Sequence, residues 1–143
     1  MEVRKANLED IAGILQLLTE NKLPLQGVAV HLQNFLVLAK DGQIIGCAGL
    51  EIYGMVALLR SVAIRKDRRC QGLGRTIVEE IFNLAIQRKS KKLYLLTATA
   101  PEFFQKIGFK WIDRGAADPL IQQTEEFRQL CPLSAIVMVK ELT

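Results

Sequence analysis

The sequence predicts one mixed α/β domain over residues 1–143, an α+β arrangement built on a single, mostly antiparallel sheet with one parallel strand pair and helices on both faces. Three observations predict it. Two apolar runs, Phe35-Leu36-Val37-Leu38-Ala39 and Ile44-Ile45-Gly46-Cys47-Ala48-Gly49-Leu50, flank Asp41-Gly42, a strong signal for a tight hairpin. A third run, ending at Ile64, leads through a glycine-bearing loop and an amphipathic stretch to a fourth at 93–97, the pattern of a right-handed crossover between parallel strands. The runs are almost continuously apolar, as strands covered on both sides must be.

Taken in order, Val3-Arg4-Lys5-Ala6 reads as a short first strand. Asn7 can cap the helix that follows, with Asp10 at its third position, and Leu8, Ile11, Ile14, Leu15 and Leu18 recur at helical spacing. Leu23-Pro24-Leu25 stops it. Residues 26–33 carry little pattern and read as a loop or short helix near an acceptor entrance; His31 lies there as a solvated or packed loop residue rather than a catalytic one. After the hairpin the second strand continues to Tyr53, and Gly54 turns it into the strand ending at Ile64. Alternation puts Cys47, Glu51 and Tyr53 on one face, and Arg60 and Val62 together on the next strand. The helix from Gly74 to about Arg88 turns Ile77, Val78, Ile81, Phe82 and Ala85 inward, and the charge run 88–92 is its solvated end. A short helix begins at Pro101 and ends at Gly108, a strand spans 109–113, a last helix from Asp118-Pro119 carries Leu120, Thr124, Phe127 and Leu130, and Cys131-Pro132 closes it before a final strand at 134–140.

Composition narrows the function classes. Half the residues are apolar and 24% charged, ordinary for a soluble globular domain, and no apolar run approaches the roughly 20 residues that span a bilayer. Cys47, Cys70 and Cys131 are odd in number and far apart, and His31 is the single histidine, which argues against a disulfide framework or a metal site and suits a reducing cytoplasm. The net charge of +4 could serve a nucleic acid. Its cations cluster instead around Arg69-Cys70-Gln71-Gly72-Leu73-Gly74-Arg75-Thr76, where a strand, two glycines and a helix N-terminus together make a seat for a pyrophosphate. Neither the dinucleotide pattern nor a Walker loop fits that stretch.

The pattern Arg-x-x-Gly-x-Gly after Leu-Arg-Ser-Val-Ala-Ile resembles the coenzyme A motif of the GNAT acetyltransferases. Leu93-Tyr94-Leu95-Leu96-Thr97, followed by Pro101-Glu102-Phe103-Phe104 and Gly108-Phe109, resembles that family's second motif. The same stretches look like the amino-acid acetyltransferase branch, which includes N-acetylglutamate synthases. Leu50 to Gly54, Val56 to Ser61 and the ending around Phe127 and 130–135 look closer still to acetyltransferases of arsenic-resistance operons, whose relatives acetylate arsinothricin and phosphinothricin.

The resemblance implies a splayed parallel pair at the centre of the sheet and an acetyl-CoA-dependent transfer to a small amino-acid-like amine. It places the cofactor on Val62, Ala63, Ile64, Arg69, Cys70, Gln71, Gly72, Leu73, Gly74, Arg75, Thr76 and Phe104. The family's usual acid is a tyrosine where this chain has Phe104, so Tyr94 and Tyr53 are the substitutes, each also readable as a core aromatic. Glu51 is the carboxylate for the base, with a surface strand residue as its alternative. Arg60, inside an apolar strand, needs an anionic partner: either a substrate carboxylate, the preferred reading, or Glu51. Ser61 and Thr97 complete the expected acceptor site. The expected partners are a small-molecule amine and, for the assembly, a monomer or homodimer, with no membrane or nucleic acid. A protein N-acetyltransferase, a non-catalytic acetyl-CoA sensor and a nucleic-acid-binding module are the alternatives.

Overall fold

The structure is a computed structural model that describes residues 1–130 and 133–142. The expected closure of the last helix by Cys131-Pro132 lies outside the described residues. Seven strands form one sheet: β1 (Glu2–Lys5), β2 (Phe35–Lys40), β3 (Gln43–Tyr53), β4 (Val56–Ile64), β5 (Lys92–Thr97), β6 (Lys110–Ile112) and β7 (Ile136–Glu141), in the order β1-β2-β3-β4-β5-β7-β6. The pairs β1/β2, β2/β3, β5/β7 and β6/β7 are antiparallel, and β4/β5 is parallel, registering Val56 to Leu58 against Lys92 to Tyr94. The mixed, mostly antiparallel sheet is the one the hairpin and crossover signals predict.

Contacts divide the chain into two units. The first holds Met1–Glu51 and Arg60–Leu84. Its helix α1 (Ile11–Glu20) follows a 3₁₀ turn in which Asn7 Oδ1 accepts from the Glu9 amide and Asp10 Oδ2 accepts from the Asn7 amide, a reciprocal cap. Arg4 grips the same Asp10 with two hydrogen bonds of 2.7 and 3.0 Å. Ile14, Leu17, Leu18, Val28, Leu32, Phe35, Val37, Cys47 and Ala63 form the core of this unit. The Asp41-Gly42 hairpin takes left-handed φ at both residues, 52° and 76°, as a tight primed turn requires. Helix α2 (Leu73–Gln87) buries Ile77, Val78 and Ile81 and exposes Glu79 and Glu80, the predicted faces.

The second unit holds Ile52–Leu59 and the chain from Ala85 onward. Helix α3 (Pro101–Lys106) has Pro at its first turn and stops before Gly108, whose φ is 108°. The expected last helix is not continuous. Helix α4 (Pro119–Gln122) ends after one turn, and a π-helical turn follows at Glu126–Leu130. The Thr124 hydroxyl donates to Ile121 O at 2.8 Å and accepts from the Phe127 amide at 3.3 Å, replacing the helical ladder with local bonds. Arg114 anchors the segment, bonding Phe127 O and stacking its guanidinium 4.8 Å from the Phe127 ring centre. Among the described residues no helix is long and apolar enough to cross a membrane.

Candidate active site

The bend between β3 and β4 puts two oppositely charged residues of the first unit side by side. Glu51 Oε2 accepts from Arg60 Nη1 at 2.7 Å, and both side chains are almost completely buried. Arg60 Nε donates to Ser61 Oγ at 3.0 Å, and Nη2 donates to the carbonyl of Gln26 at 2.5 Å. The guanidinium therefore ties β3, β4 and the turn at residues 26–31 together. Of the two partners the sequence allows for Arg60, the structure realises Glu51. A buried fork facing a carboxylate has a compensating charge within the chain.

Gly27 makes this approach possible. Its φ is 86°, and a Cβ there would lie 2.6 Å from Arg60 Nη1. The turn closes with the His31 amide donating to Gly27 O at 3.1 Å, which brings His31 Nε2 to 3.8 Å from Glu51 Oε1. Burial pushes the His31 imidazole below its ordinary range, with nearby Arg60 adding to the effect and Glu51 opposing it. Sequence reasoning left His31 aside because its neighbour Glu51 is 20 residues away and nothing local announces the contact.

Ser61 carries a left-handed φ of 60° inside β4, so alternation breaks there and Arg60 and Ser61, adjacent in sequence, bond to each other. The Ser61 carbonyl accepts from Cys47 Sγ at 3.2 Å. Burial pushes the Cys47 thiol up to about 12, so it packs as a small hydrophobe. Ala63 is buried, while Val62 and Ile64 are half-buried, and the Arg65 amide donates to Ile45 O at 2.8 Å.

The predicted phosphate seat stands at the start of the 15-residue α2. Cys70 and Gly72 take left-handed φ of 65° and 78°, and space around Gly72 is open for at least 4 Å from where a Cβ would sit. Arg69, Cys70, Gln71, Arg75 and Thr76 are exposed, with Leu73 and Gly74 half-buried. The Thr76 hydroxyl donates back to Gly72 O at 3.0 Å, securing the first turn. Not every cation of the cluster points its charge at this loop. Arg65 is bound by Asp67 at 2.7 and 3.1 Å, and Arg69 donates to Asn21 Oδ1 beyond the end of α1.

The remaining predicted residues lie in the second unit. Tyr94 belongs to an apolar cluster with Val56, Leu58, Ala117, Ile121, Phe127 and Val137 and is 4% exposed, the setting of a core aromatic. Phe104 is buried, with edge-on contacts to Phe103 and Phe109. Thr97 Oγ accepts from the Ala100 amide at 3.0 Å and caps the turn before α3.

Comparison with known proteins decides the family. Residues 31–111 match the family described as acetyltransferase (GNAT) domain. The chain belongs to the GNAT acetyltransferases. An uncharacterised N-acetyltransferase of Chlorobaculum tepidum is 29% identical over 121 residues, 78% of this chain and 77% of that one. An amino-acid acetyltransferase of Mannheimia succiniciproducens is 31% identical over 120 residues, 76% of this chain but 27% of that protein. This GNAT chain thus spans about a quarter of the amino-acid acetyltransferases it matches. Among solved structures, Rv2747 from Mycobacterium tuberculosis, in complex with CoA and NLQ, superposes over 100% of both chains with a TM-score of 0.85 at 22% identity. The N-acetylglutamate synthase of Neisseria gonorrhoeae, complexed with coenzyme A and N-acetyl-glutamate, gives 0.84 over 99% of this chain and 35% of that one at 20% identity. These likenesses show the GNAT fold.

Proposed function

We propose that residues 1–143 act as one cytoplasmic acetyltransferase domain that moves acetyl directly from acetyl-CoA to the amine of a small amino-acid-like molecule, glutamate-like or of the arsinothricin and phosphinothricin type. The observation that carries the reading is the open, left-handed Gly72 turn at the start of α2, beside exposed Arg75, where backbone amides and the helix dipole suit a pyrophosphate. The strand at 62–64 leads into that loop and would hold the pantetheine arm. The amino-acid acceptor is supported by the 31% identity to an amino-acid acetyltransferase and by a neighbour solved with N-acetyl-glutamate. The arsenic-resistance assignment rests on the resemblance of residues 50–61 and 127–135.

In this reading the acceptor attacks as a neutral amine, so a proton must leave its nitrogen. Glu51 supplies the negative charge of the basic end of the site. Arg60 positions Glu51 rather than gripping the substrate. With Phe104 in place of the family's tyrosine and Tyr94 in a packed cluster, the coenzyme thiolate departs without a side-chain acid, which a thiol of ordinary pKa about 8.5 permits.

Release of free thiol from acetyl-CoA, measured against the twenty amino acids, phosphinothricin, arsinothricin and a lysine peptide, tests the reading. An amino acid or analogue should be acetylated with a kcat/KM well above the peptide's. Preference for the peptide would make the chain a protein acetyltransferase, and no release with any amine, with coenzyme A still bound, would make it a sensor.

A further inference from the structure

The stretch that leads into α2 has little of its own to hold it. Residues 69–72 lie in neither helix nor strand, and two of the four, Cys70 and Gly72, take left-handed φ. For Cys70, which carries a Cβ, that conformation is strained and persists only where surrounding contacts impose it. The residue before it supplies one. Arg69 Nη2 donates to Asn21 Oδ1, 48 residues back along the chain, where α1 ends. The Asn21 carboxamide is fixed in that orientation. Its Nδ2 donates to Leu17 O at 2.8 Å, so a flipped group would set oxygen against oxygen and NH2 against guanidinium. The end of α1 meets the loop a second time. The Arg65 guanidinium is pushed up chiefly by its bonds to Asp67, and Glu20, the residue before Asn21, adds to the effect.

We propose that Asn21 is a positioning residue for the coenzyme: through Arg69 it fixes the turn at 70–72, and the part Arg69 plays in coenzyme binding is this tether rather than a bond to phosphate. This rests on the acetyl-CoA reading above. The partner of Arg69 is neutral, whereas a guanidinium that needed only its charge balanced would face a carboxylate, as Arg65 faces Asp67 at 2.7 and 3.1 Å. The bond is directional instead, running from one nitrogen of the fork to one oxygen whose orientation Leu17 sets. Arg69 directly follows the 3₁₀ turn Lys66–Arg68 and directly precedes Cys70, so holding its side chain limits where the left-handed pair can go. The C-terminal end of the ten-residue α1 also carries partially negative carbonyls, which favour a cation staying there. Phosphate then falls to the amides of the turn and of the first residues of α2.

Calorimetric titration with coenzyme A at about 50 mM and about 500 mM NaCl separates a tether from a charge contact, because salt screens the second far more than the first. Asn21→Ala and Arg69→Ala should each weaken binding by about tenfold, and the double variant should bind within about twofold of the weaker single. The Arg69→Ala loss should be the same at both salt concentrations. In steady state the KM for acetyl-CoA should rise in both variants while kcat holds, the split expected of a residue that places the coenzyme and takes no part in the transfer. Arg69 is exposed, so its variant keeps the test alive even where Asn21→Ala, which also gives up the bond to Leu17 O, loosens the end of α1. Asn21→Ala binding within about threefold of wild type, losses that multiply in the double variant, or an Arg69→Ala loss that vanishes at high salt overturns the assignment. A wild-type protein that binds no coenzyme A at either salt concentration would instead defeat the acetyl-CoA reading, and the positioning role with it.

Discussion

Arg60 and Glu51 meet at 2.7 Å with 1% and 6% of their side chains exposed, so the two opposite charges face each other where water reaches poorly. Removing one partner of a buried pair costs about 3–5 kcal/mol, because the survivor stays buried and loses that charge. Glu51→Leu and Arg60→Met should each show a loss of that order in denaturant unfolding, and the double variant should lose less than the two together. Simple additivity would mean that the pair contributes no coupling and that the two side chains are held independently.

Gly27→Ala forces two conflicts at once. An alanine must adopt a φ of 86°, and its Cβ must displace Arg60 Nη1 from 2.6 Å. Left-handed backbone alone costs roughly 1–3 kcal/mol at a non-glycine residue. The variant should be destabilised by at least that much and should shift the His31 resonance, whereas wild-type stability with an unchanged resonance would show that the turn does not lean on Arg60.

Coenzyme A should raise the melting temperature of the wild type, since binding the native state alone adds RT ln(1 + [L]/Kd), about 2.7 kcal/mol at a hundredfold excess. Gly72→Val fills the open space beside the loop and fights a φ of 78°, and Gly74→Asp brings negative charge to the first turn of α2. Both variants should fold and lose the ligand-induced shift. Full retention in both would move the phosphate seat elsewhere.

The two described thiols should separate cleanly under alkylation at pH 8. Cys47 is fully buried, with its thiol pushed up to about 12, and should remain unmodified in the native protein. Cys70 is exposed on the loop before α2 and should react. Peptide mapping with and without coenzyme A then reads out whether the ligand covers the loop: protection of Cys70 is expected, and equal labelling in both samples would count against the cradle.

Asp10 gives the clearest pH dependence outside the site. The Arg4 guanidinium, with help from the Asn7 amide, holds its carboxyl below the usual range against the opposing effect of burial. A lowered folded value means that the folded chain binds fewer protons than the unfolded one, so the contribution is complete above about pH 4 and fades as pH falls through the folded value. The stability gap between wild type and Asp10→Asn should shrink on acidification below about pH 4. A gap that is constant from pH 7 to pH 3 would remove Asp10 from the balance.

Local chemistry was legible in the sequence, and tertiary chemistry only in part. Asn7 with Asp10, Asp41-Gly42, and Pro101 with Gly108 act within a few residues, and each does what its pattern predicts. The glycine loop and the family were readable because the motif is written in consecutive residues. The need of Arg60 for an anion followed from burial, and Glu51 was one of the two candidates, but the carbonyl of Gln26 that also accepts from the fork is 34 residues away and nothing local announces it. The last helix failed for the reverse reason: the apolar spacing from Leu120 to Phe127 is helical, yet one hydroxyl at Thr124 outbids the ladder.

The left-handed backbone at Ser61 also sets what this chain can become. Glycine would occupy that conformation without steric cost, so the residue easiest on the backbone is the one that deletes the acceptor for Arg60 Nε. Selection for thermal robustness and selection for a fixed guanidinium therefore pull this single codon in opposite directions. A library screened for heat resistance alone would drift toward glycine there and loosen the charge cluster without any sign of damage to the fold.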